Sequence, residues 1–131
     1  MDSRFCALCA AATSSEHRRE NVKLRASRHG VTTDAEREAL EAVYAYEEVL
    51  REVRGKNVRA ARTWQMIKRH GVIEAIERIV ARPMETQGYR ALADMGLEEM
   101  AFEAVVLRHP SSFTEQAVMA SRERLARLKQ S

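Results

Sequence analysis

From Thr33 onward the apolar residues of this chain recur at three- and four-residue spacing, and no segment alternates strictly with period two. Such spacing draws a stripe along a helix, whereas a half-buried strand needs alternation. The pattern therefore predicts helices and no strands. Leu40, Val43, Leu50 and Val53, with Ala39, Tyr46 and Val49 beside them, mark a first long helix over residues 34–54. Thr33-Asp34-Ala35-Glu36 reads as its capping box, in which the hydroxyl takes an orphan N–H and the glutamate reaches back to the cap. Gly55 stands where a left-handed residue closes a helix.

Asn57 can cap a second helix, with Val58, Ala61, Trp64 and Ile67 on one face and Arg59, Arg62, Met66 and Arg69 on another. His70-Gly71 reads as its end. Val72, Ile73, Ala75, Ile76, Ile79 and Val80 form an apolar third helix that stops near Pro83. A short fourth runs from Pro83 or Gly88 to Met95 and ends at Gly96. A fifth covers residues 97–108, with Glu98 and Glu99 in its first turn and Arg108 and His109 at its end, as the helix dipole favours. Ser112-Phe113-Thr114-Glu115 reads as a second capping box, opening a C-terminal helix that reaches Gln130.

The expected architecture is all-α: a single small domain of five or six helices with a loosely attached N-terminal segment. A chain of 131 residues, 45% hydrophobic, suffices for one core. Residues 1–30, poor in large apolar side chains beyond Val22 and Leu24, read as an N-terminal arm, partly disordered, ahead of a helical domain over 31–131. Gly71 to Pro83 and Gly96 to Pro110 are punctuated alike, as glycine, apolar helix, arginine and proline. Two such units fall short of the three or so that a repeat array needs.

Several function classes fall away. No run approaches the ~18 apolar residues of a membrane span. The Phe5–Ala12 run is short for a secretory signal, and Asp2 stands where a basic residue belongs, so the expected location is cytoplasmic. The two cysteines, Cys6 and Cys9, cannot build a disulfide framework. Their spacing suits two zinc ligands, and His17 and His29 are the only histidines near them. Those histidines stand twelve positions apart, too far for a zinc finger, so Cys6, Cys9, His17 and His29 stand as weak metal candidates and no cofactor is expected. Glu47-Glu48 and Glu98-Glu99 are adjacent pairs that diverge on a helix. His70, His109, Ser111 and Ser112 are accounted for at helix ends. No nucleophile elbow, zincin or phosphate-loop motif occurs, and a non-enzyme is expected.

Charge carries the remaining information. Residues 33–48 hold six acidic groups and one basic, and residues 49–72 hold seven basic and one acidic. Arg51, Arg54, Lys56, Arg59, Arg62, Lys68 and Arg69 surround Trp64. Guanidinium groups grip phosphates bidentately, which makes this stretch the candidate binding surface. The competing account pairs these arginines with Glu41, Glu48, Glu74 or Glu77 inside the fold and puts Trp64 in the core. Aromatic residues, 5% of the chain, are few for a base-stacking platform. Met84, Met95, Met100 and Met119, with Phe102 and Phe113, read as core before they read as a groove.

The first functional expectation is a non-enzymatic regulatory or adaptor module that binds a protein partner, or a second copy of itself, through a helical face. Nearby countercharge favours it over the alternative, nucleic-acid binding through the basic stretch 51–69. A small zinc module or enzyme is more distant. No membrane partner is expected.

Overall fold

A computed structural model describes the backbone over residues 7–55, 59–82 and 86–130, and the side chains of 15–55, 59–82 and 88–129. Among the described residues seven α-helices follow one another: α1 (Ala7–Ser27), α2 (Asp34–Arg54), α3 (Ala61–His70), α4 (Val72–Val80), α5 (Thr86–Asp94), α6 (Phe102–Arg108) and α7 (Glu115–Gln130). Two single 3-10 turns, Glu98–Met100 and Pro110–Ser112, flank α6. The described residues contain no strand, and none of their helices is long and apolar enough to cross a membrane.

The centre of the fold is α2. Its alanines at 39, 42 and 45 are fully buried, and their small side chains let helices approach on several sides. One core cluster joins Leu40 and Val43 of α2 to Val72, Ile76 and Val80 of α4 and to Val105 and Val106 of α6. A second joins Val49 of α2 to Val22 of α1, Leu92 of α5 and the Met95–Ala101 turn. Met95 and Met100 are core residues, as expected, whereas Met119, expected there too, is exposed. Met84 lies outside the described residues.

Within the segment set apart as an N-terminal arm, α1 lies along α2 with Val22 and Ala26 fully buried and Leu24 exposed. Ser15 Oγ donates to the Met95 carbonyl at 2.7 Å, and Arg19 donates to the Gly96 carbonyl and to Glu99. Gly96 has φ +73°, and a Cβ there would stand 2.8 Å from Ser15 Oγ. This turn thus needs glycine both for its conformation and for the approach of α1.

The bounds of α2 match the expected ones. Thr33 Oγ1 accepts the Glu36 N–H, and Gly55 closes the helix at φ 70°. The return half of the capping box is replaced, because the Thr33 hydroxyl donates to the Glu36 carboxylate. Elsewhere local reading misplaced three features. The helix expected over 97–108 is two elements: the chain is extended at Ala101 (ψ 147°), so Glu98 and Glu99 sit in a 3-10 turn and α6 starts after it. The cap of α7 is Thr114, whose Oγ1 accepts the Ala117 N–H, while Ser112 ends the preceding 3-10 turn. Arg59 precedes α3 instead of lying on it. Asn57, the expected cap of that helix, and Val58 lie outside the described residues, as does Pro83.

The last helix is tied down in its middle. Arg124 donates to Glu103 of α6 at 2.8 Å and to the carbonyls of Val80 and Arg82, which places a cation at the C-terminal end of α4.

Candidate functional site

The connection from α2 to α3 is held by a carboxylate. Glu47 is buried on α2, and its Oε2 accepts the Ala60 N–H at 2.8 Å and the Trp64 indole N–H at 2.7 Å. The first bond satisfies an N–H just ahead of α3, which has no side-chain cap of its own. The second fixes the indole, which is half-buried and so only partly a core residue.

Three aromatic rings gather here. Tyr44 lies 5.1 Å from Trp64, tilted, and His29 stacks on Trp64 at 5.5 Å with ring planes 5° apart. His29 Nε2 and the Tyr44 hydroxyl share a hydrogen bond of 2.8 Å. Arg59 sits 5.6 Å from the Trp64 ring centre and Arg25 sits 5.9 Å from that of Tyr44, both within cation–π range. Burial pushes the Tyr44 phenol up, Glu47 adds to the effect, and Arg59, Arg25 and Arg28 oppose it. The aromatic cluster is thus ringed by three arginines and one buried carboxylate.

Beyond it, the predicted basic residues fall into two groups. Arg51 pairs with Glu48 at 3.4 Å, and Arg59 lies 3.9 Å from Glu47 while its side chain stays 76% exposed. Arg54, Arg62, Lys68 and Arg69 are exposed and have no acidic partner among the described residues. Lys56 lies outside those residues. Arg62 and Arg69 share a face of α3 with Met66 between them, and Arg82 donates to Met66 Sδ at 3.5 Å. Arg82 therefore joins that face. Sequence reasoning missed it, because its own stretch of chain is acidic; it likewise missed Arg25 and Arg28, counted with the N-terminal arm.

Of the acidic residues expected to neutralise this face, Glu48 pairs with Arg51 as expected, and the others are used elsewhere. Asp34 and Glu41 pair with Arg37, Glu38 with Arg108 at 2.7 Å, Glu52 with Arg18, and Glu74 with His70 and Arg78. Glu77 accepts the Thr114 N–H at 2.6 Å.

A second charged region, a cleft of about 440 Å³, is lined by Lys23, Arg37, Glu38, Glu41, Glu99 and Arg108 among others. Burial alone would raise the Glu38 carboxyl, but Arg108 and His109, whose Nε2 lies 3.0 Å away, outweigh it and hold the group below its ordinary value. Burial pushes Glu41 up despite Arg37 and Lys23.

Half of the thiol–imidazole set falls outside the described side chains. Cys6 lies outside the described residues, and α1 carries Cys9 on a part where only the backbone is described. His17 is exposed on α1, roughly 15 Å along the helix axis from Ser27, and His29 is committed to the Trp64 stack. No group of three potential metal ligands occurs among the described residues. Comparison with family models, characterised proteins and solved structures finds no match to this chain.

Proposed function

We propose that this protein is a non-enzymatic binding module whose α3 face and neighbouring aromatic cluster dock a polyanion, nucleic acid being the biological polyanion that this chemistry fits. One observation carries the reading: the carboxylates of α2 are engaged by Arg18, Arg37, Arg51 and Arg108, so among the described residues Arg62, Lys68 and Arg69 keep their charge for a ligand. Unneutralised arginines on one face attract phosphate over a Debye length and grip it at contact. Of the countercharge that favoured a protein partner in the bare sequence, Glu48 and Glu47 stay beside Arg51 and Arg59, while Glu41, Glu74 and Glu77 are engaged elsewhere.

The protein-docking reading stands second. Its support is Leu24, Val53 and Met119, exposed on α1, α2 and α7. Single apolar residues scattered over a surface are ordinary. A salt titration separates the two. Affinity for a nucleic-acid probe should fall steeply between about 50 and 200 mM salt, because each phosphate contact releases counterions. No binding at about 50 mM salt, together with a solution mass of two or more chains, would instead favour the protein-docking surface.

A further inference from the structure

We infer that the His29–Trp64 stack is the seat for an unpaired base of a single-stranded nucleic acid, with Arg25, Arg28 and Arg59 placed around it for the flanking phosphates. This rests on the polyanion reading and narrows it to one class of ligand. The first support is the orientation of His29. It is an exposed residue in the turn after α1, yet its ring lies flat on the indole, 5° from parallel, and Tyr44 holds its edge through the 2.8 Å bond. An exposed imidazole outside a helix ordinarily samples several rotamers. Here the stack and the hydrogen bond fix it in advance, so that binding on it orders little that is still free.

The second support is what the fixed ring offers. No further ring stacks face to face on His29 among the described residues. A flat π-face beside cations suits a base, since bases splayed from a single strand stack on histidine, tryptophan and arginine planes. A duplex keeps its bases stacked on one another and shows no such face along its length. A backbone without bases has none to offer. Few aromatic residues are needed, because the fold brings three of them to one place from α2, α3 and the turn after α1.

The test uses the whole chain at one fixed pH and salt concentration. Three labelled probes of equal length, roughly ten nucleotides, are compared: single-stranded oligothymidylate, an abasic strand and a duplex. Oligothymidylate should bind at least about fivefold more tightly than the abasic strand, the least that one stacked base contributes, and more tightly than the duplex. It should quench Trp64, the only tryptophan, where the abasic strand does not. His29→Ala should erase the preference without weakening the abasic complex, and His29→Phe should restore it. If base-bearing and abasic strands bind alike, if the duplex binds as well as the single strand, or if His29→Ala keeps the preference, the stacking seat is wrong while the polyanion reading survives. Absence of binding by all three probes would overturn both.

Discussion

The cleft beside the first half of α2 and the outer face of α3 are both densely charged, and the fold treats them in opposite ways. In the cleft, Glu38 meets Arg108 and His109, and Glu41 meets Arg37. On α3, Arg62, Lys68 and Arg69 meet no carboxylate among the described residues, and the cation drawn towards them, Arg82, adds to their charge. Blocks of opposite sign that adjoin in the sequence need not adjoin in space. The acidic residues of α2 point to different sides, and α2, being central, pairs Glu52 with α1, Glu38 with α6, and Asp34 and Glu41 with its own Arg37. Among the described residues the adjacent basic block is left with Glu47 and Glu48.

Glu47 should give the largest effect when removed. It is the α2 carboxylate that reaches α3, and Glu47→Ala leaves the Ala60 N–H and the Trp64 indole without their acceptor. Denaturant unfolding should record a loss of about 2–4 kcal/mol, as for other buried charged hydrogen-bond acceptors. A loss under about 1 kcal/mol would mean that solvent replaces the carboxylate, and that α3 is placed by its apolar side alone.

The cleft should give smaller effects that depend on pH. The Glu38 carboxyl is held below its ordinary value, so its contribution is present above the unfolded carboxylate range and is lost as pH falls through the folded value. Glu38→Gln should cost about 1 kcal/mol near neutrality, in view of its half-exposed Arg108 partner, and almost nothing in acid. Glu41 is raised by burial, so its contribution has the opposite sign: present in acid, lost as pH rises through the folded value. Glu41→Gln should therefore raise the melting temperature near neutrality and leave it little changed in acid. Equal shifts of both variants across that pH range would show that the cleft charges do not act as a paired set.

Much of the fold is legible locally. Thr33, Gly55 and the apolar spacing between them bound α2, and the run from Val72 to Val80 marks α4. What local pattern does not reveal are the partners that arrive from far along the chain. Thr114, two residues beyond the expected cap, starts α7 because the 3-10 turn at Pro110–Ser112 uses Ser112 and because Glu77, from α4, takes the Thr114 N–H. The break at Ala101 is hidden because core residues lie on both sides of it, Leu97 and Met100 before and Val105 and Val106 after. The same limit governs the site. The basic face could be read from residue types, but its lack of countercharge depends on Arg108 and Arg18 reaching α2 from α6 and α1. The aromatic cluster depends on His29, fifteen residues from Tyr44 and far from Trp64 in sequence, turning back onto both.

The most direct test of the central claim sets the two regions against each other. Arg62, Arg69 and Arg82 are replaced together by glutamine in one variant, and Arg37 and Arg108 in another, and the affinity of each for a nucleic-acid probe is followed as salt rises. The first variant should unfold at nearly the wild-type temperature, because its arginines have no acidic partner among the described residues, and its salt slope should flatten by roughly 0.7–0.9 per phosphate contact removed. The second should melt lower and keep the wild-type slope. A first variant that binds with an unchanged slope, or a second that loses as much binding as the first, would contradict the account.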